Sequence, residues 1–185
     1  MPLRKLTYDD YVLLPHDGSR HEIIDGEHFV TAAPSVSHQR TVLNLAVRLQ
    51  PFVKANGLGE VFIAPLDVLL SPHDIVQPDL LFVSSERAGI LTERNVQGAP
   101  DLVIEVLSPS TRRLDESLKL ERYGALGVRE YWILHPQWQW RTIKLYRQLA
   151  GGGFGPAAVL SAEAGDVLST PLLPGLAIPL AEIFA

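Results

Sequence analysis

None of the 185 residues is a cysteine, which excludes disulfide staples and thiolate-held zinc and suits a reducing compartment. No segment approaches the roughly 18 consecutive apolar residues that a membrane-crossing helix requires. The opening residues, Arg4 and Lys5 followed by Tyr8, Asp9 and Asp10, lack the apolar centre of a secretion signal. A cytoplasmic protein is the expectation. A basic surplus is missing too. The formal charge of −5 argues against a nonspecific nucleic-acid coat, whose binding face would be strongly basic. An enzyme acting on phosphodiesters stays open, because carboxylates that hold divalent cations make a chain acidic until the metals are counted. The six histidines form no His-Glu-x-x-His pair. There is no Gly-x-Ser-x-Gly elbow and no Gly-x-Gly-x-x-Gly after a strand. The glycines around Phe154 lack the Gly-Lys-Ser/Thr of a phosphate loop and read as a turn.

What is present is the composition of an ordinary globule, 46% hydrophobic and 20% charged, long enough for one domain spanning residues 1–185 with a sizeable core. Its organising stretch runs from Pro100 to Tyr123. Leu102, Val103, Ile104, Val106 and Leu107 form an apolar run of strand length that reads as buried on both faces. Glu105 interrupts it. A carboxylate there loses its hydration and must be neutralised, paired or bound to a metal. A helix follows Ser110 and Thr111, and on it Asp115, Lys119 and Tyr123 recur every four residues beside Leu114 and Leu118. Two readings are open for this segment, a buried Glu105–Lys119 ion pair and a reaction site at a sheet end.

Elsewhere, Thr7 and Asp10 suggest a capping box opening a short helix through Leu14. Asp25-Gly26 is a tight hairpin turn within 20–30, and the pattern there makes Glu22 a solvated strand residue. Ser35 and Ser37 are candidate caps of a helix to about Asn56, with His38 at its start read as a surface or capping group. Asp79 leads directly into Leu80–Val83. Alone it reads as a turn residue after Pro78, but with strands about 4.8 Å apart Asp79 and Glu105 at matching levels could share one cation. Glu130–His135 reads as a further strand. Residues 138–146 read as an amphipathic ribbon carrying Trp138 and Trp140, which could stack bases but reads more readily as a half-buried sheet face or as an edge that a second copy would cover. The tail is read as extended, docking through Leu176, Ile178, Leu180, Ile183 and Phe184.

The order of helix, strands, Asp79, Glu105, helix with Lys119, and strand resembles the PD-(D/E)XK nuclease superfamily. Within it the chain is similar to the Uma-type family of restriction-endonuclease-like proteins, long treated as a domain of unknown function. The segments that carry this are His21–Glu27, Gln77-Pro78-Asp79, Pro100–Thr111, the trio Asp115, Lys119 and Tyr123, and Gly127–Ile133. The resemblance implies an α/β (α+β) fold, a mixed β-sheet flanked by helices. It implies Asp79 and Glu105 as ligands of Mg²⁺ or Mn²⁺, and Glu22 as a supplementary acid that orients water at the ion. The superfamily lysine lies two residues after the acid, where this chain has Leu107, so the resemblance implies a relocated Lys119 as the catalytic cation. His135 stands where the family usually has an acid.

Such a site would hydrolyse phosphodiester bonds in nucleic acid, DNA before RNA, with hard oxygen ligands favouring Mg²⁺ or Mn²⁺ over zinc. The alternative is a catalytically inert nuclease-like fold acting as a binding or assembly module. A glycosidase with two carboxylates would leave Lys119 without a part. A homodimer or higher homo-oligomer is the expected assembly.

Overall fold

The computed structural model describes residues 4–15, 17–137 and 139–185. The elements are α1 (Tyr8–Tyr11), β1 (Arg20–Ile24), β2 (Glu27–Thr31), α2 (Val36–Ala55), β3 (Gly59–Ile63), β4 (Val68–Ser71), β5 (Asp74–Val76), β6 (Leu80–Ser84), β7 (Val96–Gln97) and β8 (Leu102–Val106). They continue as α3 (Arg112–Leu114), a π turn (Asp115–Lys119), α4 (Leu120–Ala125), β9 (Glu130–His135), β10 (Thr142–Arg147), β11 (Ala158–Ser161), β12 (Val167–Thr170), β13 (Leu173–Pro179) and α5 (Leu180–Ile183). This is a mixed α+β architecture. A six-stranded sheet runs in the order β11-β10-β9-β8-β6-β3, and a five-stranded sheet in the order β2-β1-β5-β4-β7. In the larger sheet β8 and β9 are parallel and the other pairs antiparallel.

The alternation of β8 divides the core in two. Leu102, Ile104 and Val106 pack with α2, α5 and β13 through Leu45, Leu49, Ile178 and Ile183. Val103 and Leu107 face the other way, toward Ile24, Tyr123, Tyr131 and Val68. Every residue of β8 is buried, as its unbroken apolar run requires of a strand covered on both faces. A fully buried Leu or Ile side chain contributes about 1.5–3 kcal/mol, so the run is committed to this central place. Glu105 lies on the second side, toward the five-stranded sheet.

That sheet begins with the expected hairpin. Asp25 and Gly26 both have positive φ, 51° and 80°, the conformation of the tightest hairpin turns. At Gly26 a Cβ would also meet the Lys5 backbone at 2.9 Å. The Thr7–Asp10 capping box is present, but α1 ends at Tyr11 rather than Leu14. The chain passes from one sheet to the other at Gln77-Pro78-Asp79, between β5 and β6. This crossing sets Asp79 where the two sheets meet.

Two expectations are corrected here. The aromatic ribbon is shorter than 138–146: Trp138 lies outside the described residues, Trp140 is in a turn and 52% exposed, and β10 begins only at Thr142. Nor is β10 an edge. The glycine-rich turn around Phe154 returns the chain antiparallel, and β11 pairs with Thr142–Leu145. The tail forms a β12–β13 hairpin and α5, with Leu176, Ile178, Leu180, Ile183 and Phe184 buried as expected. No helix among the described residues is long and apolar enough to cross a membrane.

Candidate active site

Strands β6 and β8 are antiparallel neighbours with Leu80 opposite Ile104. Continuing that register by one step sets Asp79 opposite Glu105, with both side chains on the same face. On that face lies the helix of residues 112–125. Its middle is a π turn, Asp115–Lys119, a local widening that recurs at functional sites. Two hydroxyls serve carbonyls of this stretch: Tyr131 donates to Asp115 O at 3.1 Å, and Ser117 to Arg113 O at 2.5 Å. The stripe expected from the four-residue spacing faces the strands, and Asp115, Lys119 and Tyr123 are all buried.

Lys119 is 1% exposed and sits among three carboxylates. Nζ donates to Glu105 Oε1 at 3.0 Å. It lies 3.0 Å from Glu22 Oε2 and 3.4 Å from Asp115 Oδ1, but among the described residues neither oxygen has a hydrogen-bond donor. Tyr123 also donates to Glu105 Oε1, at 3.0 Å. Glu22 comes from β1 in the other sheet, and its Oε1 accepts the Gln77 N–H at 2.8 Å. It is fully buried, which corrects the solvated-strand reading: the hairpin carrying it packs against the helix and β8.

Asp79 has a different set of partners. Arg20 Nη1 donates to Oδ1 at 2.7 Å. His38 Nε2 lies 2.9 Å from Oδ2, and the Val106 N–H donates to the same oxygen at 2.8 Å. His38 is therefore a buried partner of Asp79 and not a surface or capping side chain, although its backbone N–H does bond the Ser35 cap. Sequence reasoning also missed Arg20. Signals existed for both. Arg20 is two residues from Glu22 and shares its face of β1. His38 falls on the helical stripe continued by Val42, Leu45, Leu49 and Val53, all buried.

The electrostatics follow from these contacts. Burial alone would raise Asp79, but the His38 hydrogen bond and charge, the Arg20 guanidinium and the Val106 N–H outweigh it and hold the carboxyl at about 2. Burial pushes Glu105 up to about 8; the Lys119 ammonium opposes this, while Asp79, Asp115 and Glu22 add to it. Asp115 is raised as well, first by burial. Burial works against the charge of Lys119, yet Glu105, Glu22 and Asp115 lift its pKa well above the ordinary value. One ammonium shared by three carboxylates stays charged, and the excess falls on Glu105. Four carboxylates face two fixed cations, Arg20 and Lys119. With all four ionised the fixed cations leave two negative charges unopposed, and near neutral pH the proton that Glu105 holds takes up one of them.

A cleft of about 990 Å³ opens on this cluster, lined by Arg20, His38, Asp79, Ser108 and Thr111 among others. Glu22, Glu105 and Lys119 are not among its lining residues. His135 stands apart, tilted against Trp140 with ring centroids 5.6 Å apart. Among the described residues, no three His, Cys, Asp or Glu side chains are arranged to hold a metal ion. The donors nonetheless suit a hard divalent cation in type and charge. They are all carboxylate oxygens, they carry excess negative charge, and Glu22 Oε2 and Asp115 Oδ1 are buried without a donor.

No curated protein matches the chain. Among solved structures it is similar to a crystal structure described as a "putative nuclease belonging to DUF820" from Anabaena variabilis ATCC 29413, with a TM-score of 0.80, 19% identity and 97% of each chain covered. That likeness is one of fold. The model of the Uma2 family, described as "Putative restriction endonuclease", matches residues 8–181, nearly the whole chain. The chain belongs to the Uma2 family.

Proposed function

We propose that this protein is a metal-dependent nuclease that hydrolyses phosphodiester bonds of nucleic acid, with DNA the first substrate to test. Asp79 and Glu105 are the residues that would hold Mg²⁺ or Mn²⁺. The observation that carries this reading is the register opposing Asp79 and Glu105 in a pocket whose fixed cations leave negative charge uncompensated. The family and the structural neighbour are both described as nucleases, which supports the reaction class.

When bound, the ion would supply Lewis acidity toward a phosphoryl oxygen and make nearby water more acidic. The other parts fall to side chains. Glu22, in the part of the acid cluster that does not line the cleft, would be the supplementary acid that orients water at the ion. Lys119, shut off from the cleft, is a positioning residue that holds Glu105, Glu22 and Asp115 in place. In the reaction the water oxygen bonds to phosphorus, one bridging P–O bond breaks, and the water proton ends on the departing oxygen. Calorimetric titration tests the ligand assignment: wild type should bind Mn²⁺ and Asp79→Ala should bind it at least about tenfold more weakly, as expected when one of two charged ligands is removed. Equal affinity would remove Asp79 from the site.

A second reading, an inert binding or assembly module, has one observation in its favour: Lys119 already gives Glu105 a buried ion-pair partner. Under it Mn²⁺ gives no heat, and neither DNA nor RNA is cut.

A homodimer belongs to the first reading. Its support is no longer β10 but β3, one of the two edges of the six-stranded sheet, where Ile63 is 54% exposed; α2, which packs on β3, adds exposed Leu43 and Val47. Light scattering at high concentration should give twice the 20.4 kDa chain mass; a monomer mass rejects the dimer.

A further inference from the structure

Arg20, unlike Lys119, lines the cleft. Lys119 already serves Glu22, Glu105 and Asp115, whereas Arg20 is placed on Asp79, the one carboxylate of the cluster that lines the cleft. Its Nη1 takes Asp79 Oδ1, and His38 with the Val106 N–H takes Oδ2. Both oxygens of Asp79 are thus occupied before any metal arrives. Of the two side-chain partners, Arg20 alone holds Oδ1. Arginine stays protonated at any physiological pH, so another cation reaches Oδ1 only if the guanidinium moves.

There is room for that movement. The Arg20 side chain is 20% exposed and lines the cleft. Among the described residues its only hydrogen bond is the one to Asp79, so most of its five N–H donors have no protein acceptor. A planar fork of free donors beside an open cleft suits a phosphate, which guanidinium binds with two parallel hydrogen bonds.

We infer that Arg20 is a displaceable cation, holding Oδ1 of Asp79 in the metal-free protein, yielding it to the divalent ion and turning its donors to a substrate phosphate in the cleft. The inference rests on the reading of Asp79 and Glu105 as metal ligands.

It requires two effects of opposite sign. Arg20→Gln removes a competitor and should bind Mn²⁺ about tenfold more tightly than wild type, the order expected for taking a contact charge from a partly exposed site. The same variant should lose about 10²-fold in turnover on any substrate wild type cuts, as for the loss of one donor to a transition-state oxyanion. A purely structural arginine would weaken both. Arg94→Gln is the control, since Arg94 also lines the cleft but makes no contact with Asp79; there Mn²⁺ affinity should rise by about twofold or less, a long-range screened effect. Should Arg20→Gln fail to fold by circular dichroism, Arg20→Lys keeps the charge with a shorter reach, and its Mn²⁺ affinity should still exceed wild type, by about threefold. Unchanged or weaker Mn²⁺ binding in a folded Arg20 variant, or an equal gain in Arg94→Gln, overturns the inference and leaves the metal reading standing. Absence of Mn²⁺ heat in wild type and both variants overturns the metal reading and the inference together.

Discussion

Lys119→Ala is expected to destabilise the metal-free protein by about 3–5 kcal/mol, the usual loss when one partner of a buried ion pair is removed. The reason is geometric. The ammonium is 1% exposed and lies within 3.4 Å of Glu22, Glu105 and Asp115, so its removal leaves three buried carboxylates with only the Arg20 guanidinium, already bonded to Asp79, to oppose them. For a chain of this size each kcal/mol moves the melting midpoint by about 2–4 °C, and a fall on the order of 10 °C should be seen by calorimetry. Protonation offers the acids partial relief, so the fall should be larger at pH 8 than at pH 5. Lys119→Met separates charge from packing, because it restores most of the side-chain volume and should recover little of the loss. Leu107→Lys added to Lys119→Ala returns an ammonium from the strand, since Leu107 shares the face of Glu105, and should recover part of both stability and activity. A melting midpoint unchanged in Lys119→Ala would show that the ammonium is not what holds the acids.

That centre was legible in the sequence to an uneven degree. Glu105 stood out because a carboxylate breaking the run Leu102–Leu107 contradicts its surroundings. Asp115, Lys119 and Tyr123 could be grouped because helical spacing is a local property. Both needed only neighbours in sequence. The π turn that widens the helix at Asp115–Lys119 left no mark, since side chains four apart meet in either geometry.

The remaining members depend on how distant segments stack. The pattern Arg20–Ile24 gives no hint that a second sheet packs over the first, and so Glu22 read as solvated from its own segment; only the family resemblance placed it in the site. His38 was legible in principle, as the first position of the stripe running to Val53, but a helix start invites the capping reading. The tryptophan ribbon failed for a related reason. Whether β10 was an edge depended on β11, which arrives after the glycine-rich turn with only Ala158–Ser161 to announce it.

The second large effect concerns Glu105 and pH. The metal-free protein is expected to lose stability as pH rises from about 5 to about 8.5, against the common acid-denaturation trend. Burial, with the like charges of Asp79, Asp115 and Glu22, raises Glu105 from 4.5 to about 8 in the fold. The native state then binds this proton more tightly than the unfolded chain does. Linkage makes the contribution complete below the unfolded value of 4.5 and loses it as pH climbs through about 8, at up to about 1.4 kcal/mol for each pH unit between. Asp79 runs the other way: its pKa falls from 3.8 to about 2, so its contribution is present above 3.8 and disappears as pH falls through about 2. Thermal melts from about pH 3 to about pH 9 should therefore peak on the acid side of neutrality. Glu105→Gln mimics the protonated acid, keeps an oxygen for Tyr123 and Lys119, and should flatten the alkaline limb. Mg²⁺ should flatten it too, by taking over the charge compensation that the proton provides; at about 100 times its dissociation constant a ligand adds about 2.7 kcal/mol. The two treatments are not expected to add, because Glu105→Gln removes one of the ligands that Mg²⁺ needs. A wild-type curve that stays level or rises to about pH 8.5, or a Glu105→Gln curve with the wild-type slope, would exclude Glu105 as the strained acid. A Mg²⁺ gain undiminished in Glu105→Gln would place the ion elsewhere.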